Sequence, residues 1–101
     1  MDKSDIIFNN FEWNQQKSES NLQNHGISFE EASTVFADPF FIIFKDIEHS
    51  KDEQRFIIIG ASDKLNYLFV SFTERDERTR IISARELTSK ERKDYEKRIQ
   101  S

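Results

Sequence analysis

The spacing of hydrophobic and polar positions changes near residue 39. Before that point apolar residues recur at helical spacing, as in Phe29, Ala32, Val35 and Phe36. After it, short runs rich in aromatic and β-branched residues are separated by polar turns, a pattern typical of β-strands joined by hairpins. The second half therefore predicts an antiparallel meander with strands at residues 40–44, 55–59, 67–73 and 79–85.

Capping residues delimit the predicted helices. Asn14 is the expected N-cap of a polar helix over residues 15–24, and Gly26 is expected to end that helix in a left-handed conformation. Ser28 and Glu31 have the spacing of a capping box, which opens a second helix that ends at Asp38-Pro39.

A third helix is predicted at the C-terminus. Thr88 and Glu91 form another capping box, and Tyr95 and Ile99 are the apolar anchors of an otherwise charged helix. With a first short strand at residues 8–13, the element order is β-α-α-β-β-β-β-α. This order predicts a single α+β domain over residues 1–101, with an antiparallel sheet of four to five strands, two N-terminal helices and one C-terminal helix. Residues 1–7 are expected to be a flexible extension.

Composition excludes several classes of protein. The 101 residues are 36% hydrophobic and 34% charged and include no cysteine, which excludes disulfide scaffolds, thiolate metal sites and cysteine nucleophiles. The longest apolar run has five residues, too few to span a membrane, and the first five residues are too polar to open a secretion signal. We expect a cytoplasmic protein.

Metal and cofactor chemistry finds no support in the sequence. The two glycines do not form a phosphate-binding loop, and His25 and His49 lack the spacing of metal ligands. We therefore expect neither a metal nor a cofactor.

Arginines near strand ends are the candidate chemistry. The net charge is −4, yet six of the seven arginines follow Glu74. Arg55 and Arg85 each lie at an end of a predicted strand, and Arg75 ends a third if that strand extends beyond residue 73. We expect two or three guanidiniums to gather at one end of the sheet. Such a group suits a phosphodiester, because fixed cations stabilise charge that develops on phosphorus. The alternative is that these arginines pair with neighbouring carboxylates on a solvated surface.

Two motifs in combination carry a family resemblance. The block His25-Gly26-Ile27-Ser28-Phe29-Glu30-Glu31-Ala32 and the block Arg80-Ile81-Ile82-Ser83-Ala84-Arg85 occur in one chain. Between them lie His49-Ser50, Glu53, Arg55-Phe56 and Thr73-Glu74-Arg75. Over about residues 10 to 96 the chain resembles the BrnT family, the toxins of bacterial type II toxin–antitoxin pairs.

The resemblance implies a RelE-like fold, ribonuclease activity that blocks translation, and a BrnA-like antitoxin with a ribbon-helix-helix region. It also implies a toxin–antitoxin heterotetramer that contacts operator DNA through the antitoxin alone. We interpret Arg85 and Arg55 as phosphate contacts assisted by Arg75. The other matching polar positions have predicted roles in proton transfer (His25 or Lys17), orientation of an arginine (Glu53) and RNA binding (Arg80).

Four positions at three sites depart from the family pattern, and a second function remains open. Asn14 replaces a common Asp, Asn24 replaces a usual Lys, and Leu65-Asn66 replaces a frequent Gly-Arg turn. The changes at Asn24 and Asn66 remove two cations, which weakens the expected binding of RNA. The alternative function is a non-catalytic module that pairs with the antitoxin and modulates promoter repression.

Overall fold

The computed structural model describes residues 4–100, which form a mixed α+β fold with three helices and a six-stranded sheet. The predicted α+β class is confirmed, whereas the prediction of four to five strands is wrong. Single 3-10 turns follow the second helix and the third strand. The elements are β1 (Asp5–Phe8), β2 (Phe11–Asn14), α1 (Gln15–His25), α2 (Phe29–Thr34), β3 (Ile42–Lys45), β4 (Arg55–Ala61), β5 (Tyr67–Arg75), β6 (Arg78–Glu86) and α3 (Ser89–Gln100).

The unexpected strand lies at the N-terminus. Residues 5–7 belong to β1 rather than to a flexible extension, and residues 1–3 of that predicted extension lie outside the described residues. β1 pairs antiparallel with β2, so the strand predicted at residues 8–13 is in fact the turn and parts of two strands. Ile6 packs against the main core, which gives this segment an apolar contact that the sequence pattern did not reveal.

The sheet is mixed. Its strand order is β1-β2-β6-β5-β4-β3, and the last four strands of the chain form the predicted antiparallel meander. β2 instead runs parallel to β6, with Phe11 opposite Thr79 and Glu12 opposite Arg80. Beyond this short pairing the edge of β6 contacts α1, where Asn21 accepts a hydrogen bond from Ala84 N at 3.0 Å and donates one to Ala84 O at 2.9 Å.

The two faces of the sheet are covered differently. The main core lies on one face, where Phe29 of α2 packs with Trp13, Ile58 and Val70. On the opposite face, Tyr95 of α3 forms a smaller cluster with Ile57 and Ile59. We call this second side of the sheet the open face. No helix among residues 4–100 combines the length and apolar character needed to cross a membrane.

The predicted caps are largely confirmed. Asn14 accepts a hydrogen bond from Lys17 N at 3.0 Å, and Gly26 has a left-handed φ of 71°. Ser28 accepts from Glu31 N at 3.0 Å, but the Glu31 carboxylate does not complete the box. It is buried and instead accepts hydrogen bonds from two side chains of the β4–β5 connection, Ser62 and Asn66, each at 2.7 Å.

Replacing Leu65 with Gly is expected to stabilise the protein by about 1 kcal/mol. Leu65 has a φ of 63° in the β4–β5 connection, a conformation that costs residues with a Cβ but not glycine. Its side chain is 79% exposed, so the change removes little packing. Urea unfolding measures the difference. Leu65→Ala, which keeps the Cβ, should give no comparable gain, and equal gains in both variants would contradict the explanation.

Candidate functional site

The arginines of the strands share the open face. Arg55 lies opposite Thr73, and Thr73 lies opposite Arg80, so these three side chains form a row across β4, β5 and β6. Arg85 lies opposite Phe69 on the same side, because residues two apart along a strand point the same way. Regular alternation along β6 would place Arg80 and Arg85 on opposite faces, because they are five residues apart. An irregularity in the β5–β6 pairing, which inserts Ile82, brings them to one face.

Of the two or three guanidiniums expected at one end of the sheet, two come together, those of Arg55 and Arg75, and that of Arg85 does not. Arg75 ends β5 and Arg85 lies near the end of β6, and β5 and β6 are antiparallel. Their C-terminal ends therefore lie at opposite ends of the sheet. Along β5, the Arg55 row and the Arg85 row are four residues apart, which is about 13 Å at about 3.3 Å per residue.

Glu53 joins the two arginines that do come together. Arg75 Nη2 donates to Glu53 Oε2 at 2.9 Å, and Arg55 Nε lies 3.7 Å from Glu53 Oε1. The hydrogen bond from Arg75, together with the charges of Arg75, Arg55 and Arg80, lowers the pKa of Glu53 in spite of its partial burial. Glu53 is therefore an ionised carboxylate that orients Arg75 beside Arg55.

Arg55 keeps most of its hydrogen-bonding capacity. Its Nε is buried and has no hydrogen-bond partner among the described residues, and its side chain is 32% exposed. Together with Glu53 it lines a shallow depression of about 390 Å³ at the end of the sheet. A guanidinium with unused donors in a depression can bind the oxygens of an anion such as phosphate.

Arg85 is held by α3. Its Nη1 and Nη2 donate to the two carboxylate oxygens of Glu91 at 2.8 and 3.1 Å, and its guanidinium carbon lies 3.8 Å from the centre of the Phe69 ring. The hydrogen bond from Arg85 is the main reason that the pKa of Glu91 is lowered, and Glu91 also completes the predicted capping box with Thr88. Arg85 thus fastens α3 to the open face.

Arg80 is enclosed by two carboxylates. It donates to Asp5 at 3.0 and 3.2 Å and to Glu12 at 2.7 Å, and its side chain is 15% exposed. The hydrogen bond from Asp5, followed by that from Glu12, raises its pKa in spite of burial. The three residues join β1, β2 and β6, and the charge of Arg80 is offset locally.

Lys17 and His25 lie elsewhere. Both are exposed residues of α1 and line a second depression, which includes Asn14 and Ile82. This depression differs from the one that contains Glu53 and Arg55. The structure therefore does not bring the two predicted proton-transfer candidates to the Glu53–Arg55 depression.

His49 and Asp46 are not among the site residues predicted from the sequence. His49 lines the depression that contains Arg55, and its Nδ1 lies 2.9 Å from Asp46 Oδ2. The available signal was the block His49-Ser50, Glu53 and Arg55, but His49 was considered only as a metal ligand. Among residues 4–100 no three His, Asp or Glu side chains are grouped in a way that could hold a metal ion.

Comparisons with known proteins give two findings. A family model described as "Ribonuclease toxin, BrnT, of type II toxin-antitoxin system" matches residues 13–91. The chain is also similar to the crystal structure of the Brucella abortus ribonuclease toxin BrnT, with a TM-score of 0.58 and 21% sequence identity. The alignment covers 76% of this chain and 94% of that chain, and the likeness shows a common fold. Among curated proteins there is no significant match.

Proposed function

Because the chain belongs to the BrnT family of ribonuclease toxins of type II toxin–antitoxin systems, we propose that it cleaves RNA on its open face, with Arg55 and Arg75 as the main phosphate contacts. The observation that carries the assignment of the site is the pair of guanidiniums held at one carboxylate, Glu53, beside a depression. The Arg55 side chain is 32% exposed and that of Arg75 is 44% exposed, so both can reach a ligand in solvent.

The arginines provide the charge that phosphodiester cleavage requires. During attack on phosphorus, negative charge develops on the non-bridging oxygens, and a planar guanidinium can donate two hydrogen bonds to them. Glu53 acts by orienting Arg75 and by keeping the two cations close together. We propose that the 2′-hydroxyl of RNA is the nucleophile, without a metal ion, and that cleavage leaves a cyclic phosphate.

The other predicted site residues have different places in the proposal. Arg85 lies about 13 Å along the sheet from the Arg55 row, so we propose that it contacts a different part of the same RNA strand, together with Phe69. Contact of Arg80 with RNA stays a prediction and requires release from Asp5 or Glu12. Proton transfer by His25 or Lys17 also stays a prediction.

Purified protein should degrade RNA at an unchanged rate when EDTA is added. The expectation follows because the proposed site stabilises charge with guanidiniums. Gel analysis measures the rate, and end-group analysis should find cyclic phosphate and a free 5′-hydroxyl. A rate that vanishes with chelator and returns with Mg²⁺ would refute the metal-free mechanism.

We further propose the biological setting that the family resemblance implies. The chain would be one RelE-like toxin domain in the cytoplasm that inhibits translation. A BrnA-like ribbon-helix-helix antitoxin would cover the open face within a heterotetramer, and only the antitoxin would contact operator DNA. The exposed arginines support this, because an acidic segment of a partner could pair with them as RNA does.

Induced expression in a bacterial host is expected to arrest growth, because RNA cleavage stops protein synthesis. Co-expression of the neighbouring reading frame should relieve the arrest if that frame encodes the antitoxin. Colony counts and labelled amino-acid incorporation measure both effects. Normal growth together with a stable complex of the two proteins would instead favour the non-catalytic module, an alternative consistent with the pairing of Arg75, Arg80 and Arg85 to carboxylates.

A further inference from the structure

The connection between β3 and β4 holds a histidine beside Arg55. Its two ends are fastened together, since Asp46 N donates to Arg55 O at 2.8 Å and Arg55 N donates to the Ser50 hydroxyl at 3.0 Å. The Ser50 hydroxyl in turn donates to Asp46 O at 2.6 Å. These bonds close the connection into a compact loop, so His49 has a defined position relative to the start of β4.

Asp46 sets the hydrogen-bonding roles of the imidazole. The distance of 2.9 Å between His49 Nδ1 and Asp46 Oδ2 is that of a hydrogen bond, and an ionised carboxylate can only accept. Nδ1 therefore carries the hydrogen, and Nε2 of the neutral ring is left as an acceptor. The His49 side chain is 63% exposed, so Nε2 is accessible to a substrate.

We propose that His49, oriented by Asp46, accepts the proton of the attacking 2′-hydroxyl in RNA cleavage at the Arg55 depression. The inference rests on the proposed ribonuclease function and assigns proton transfer to a histidine in place of His25. His49 lines the same depression as Glu53 and Arg55, whereas His25 lines the depression beside α1. A base must lie within hydrogen-bonding reach of the proton that it removes, which only the first location allows at an Arg55-bound phosphate.

The proposed step balances without an outside reagent. His49 Nε2 takes the proton as the bond from O2′ to phosphorus forms, and the bond from phosphorus to O5′ breaks. The leaving O5′ takes a proton from water, and the hydroxide produced removes the proton from the imidazolium. The products are a 2′,3′-cyclic phosphate and a 5′-hydroxyl. Asp46 holds the imidazole in place through Nδ1 during these events, as the carboxylate of a catalytic triad does.

The charged groups around His49 do not include a second clear candidate for the base. The charged groups that face it are those of the loop and of the depression: Asp46, Lys51, Asp52, Glu53 and Arg55. Glu53 accepts a hydrogen bond from Arg75, and this bond is the main reason that the pKa of Glu53 is lowered. Glu53 is therefore a weaker proton acceptor. An imidazole with a free Nε2 is the better acceptor at neutral pH.

His49→Gln tests the proposal in the full chain. At pH 7 the single-turnover rate of RNA cleavage should fall by about 100-fold or more, the usual contribution of a positioned base. The Kd for an RNA analogue without 2′-hydroxyl groups should stay within about twofold, because the arginines bind the phosphates. The unfolding midpoint should not change, since the side chain is largely exposed.

The pH profile separates proton transfer from a structural role. The wild-type rate should decline as pH falls through the range in which histidines titrate, and this decline should disappear in His49→Gln. Asp46→Asn should lower the rate less than His49→Gln, since it alters the partner of Nδ1 and keeps the imidazole. A merely structural effect of His49→Gln would lower the rate equally at every pH.

Glu48→Gln is the matched comparison, because Glu48 is an exposed neighbour of His49 in the same 3-10 turn and does not line the depression. Loss of cleavage in His49→Gln with near wild-type cleavage in Glu48→Gln supports the proposal. Near wild-type cleavage in His49→Gln overturns the proposal and leaves the ribonuclease function standing. Wild-type protein that binds RNA without cleaving it, in a preparation that folds, overturns both.

Discussion

Arg55→Ala should lower the rate of RNA cleavage by about 10²–10³-fold, the loss observed when one preorganised donor to a developing oxyanion is removed. The physical reason is that Arg55 is the guanidinium that lines the depression, and its side chain is 32% exposed. The single-turnover rate at saturating protein measures the loss. The free energy of unfolding should change little, because Arg55 makes one long ion pair, 3.7 Å to Glu53.

Two further variants identify the cause of that loss. Arg55→Lys keeps the charge but not the planar fork, so it should recover only part of the rate. Arg92→Ala removes the same charge from α3, where Arg92 pairs with Glu96, and should leave cleavage within about twofold of wild type. Equal losses in Arg55→Ala and Arg92→Ala would mean that net charge matters and that Arg55 has no particular role.

Arg85 is a less direct probe of the chemistry. Its guanidinium binds Glu91 through both oxygens and lies over Phe69, so Arg85→Ala also loosens α3. From the sequence, Arg85 is a leading candidate for a phosphate contact because it ends a predicted strand. The structure shows that the same position is a fastening between β6 and α3, and any change in activity there must be compared with a change in stability.

Local sequence signals predicted the local structure well. Asn14, Ser28 and Thr88 cap the helices as expected, because capping depends on residues at most three positions away. Gly26 adopts the left-handed conformation that ends α1. The meander from β3 to β6 also followed from periodicity and short connections.

Features that depend on distant parts of the chain were not predicted. The parallel pairing of β2 with β6 joins Phe11 to Thr79, and no local pattern records it. The inserted Ile82 reverses the side-chain alternation within β6 and brings Arg80 to the face of Arg85. The separation of Arg75 from Arg85 was deducible, however, because antiparallel neighbours end at opposite sides of the sheet.

Asp38 illustrates how a residue read as a helix stop can hold a fold together. Its carboxylate accepts from Tyr95 Oη at 2.5 Å, from Ala61 N at 2.8 Å and from Phe40 N at 2.9 Å. It thereby connects α3 and β4 to the segment before β3. Gly60 permits this approach, since a Cβ there would lie 2.8 Å from Asp38 Oδ2.

Asp38→Ala is expected to lower the free energy of unfolding by about 3 kcal/mol, because it leaves three donors without their charged acceptor. Urea unfolding at pH 7 measures the loss. Tyr95→Phe removes one of the three bonds and keeps the ring that packs with Ile57 and Ile59, so its loss should be smaller. Equal losses in the two variants would show that the Tyr95 hydroxyl accounts for the whole effect.

The pH dependence of the same variant tests the ionic character of this acceptor. Burial opposes ionisation of Asp38, but the hydrogen bonds from Tyr95, Ala61 and Phe40 outweigh it and lower its pKa below 3.8. The stabilisation is then present above pH 3.8, the pKa of an unperturbed aspartate. It is lost as pH falls through the lower pKa that Asp38 has in the folded protein. The difference in stability between wild type and Asp38→Ala should accordingly stay constant from neutral pH to about pH 5 and shrink in stronger acid. A difference that grows on acidification would mean that Asp38 is protonated in the native protein and that its neutral form makes these contacts.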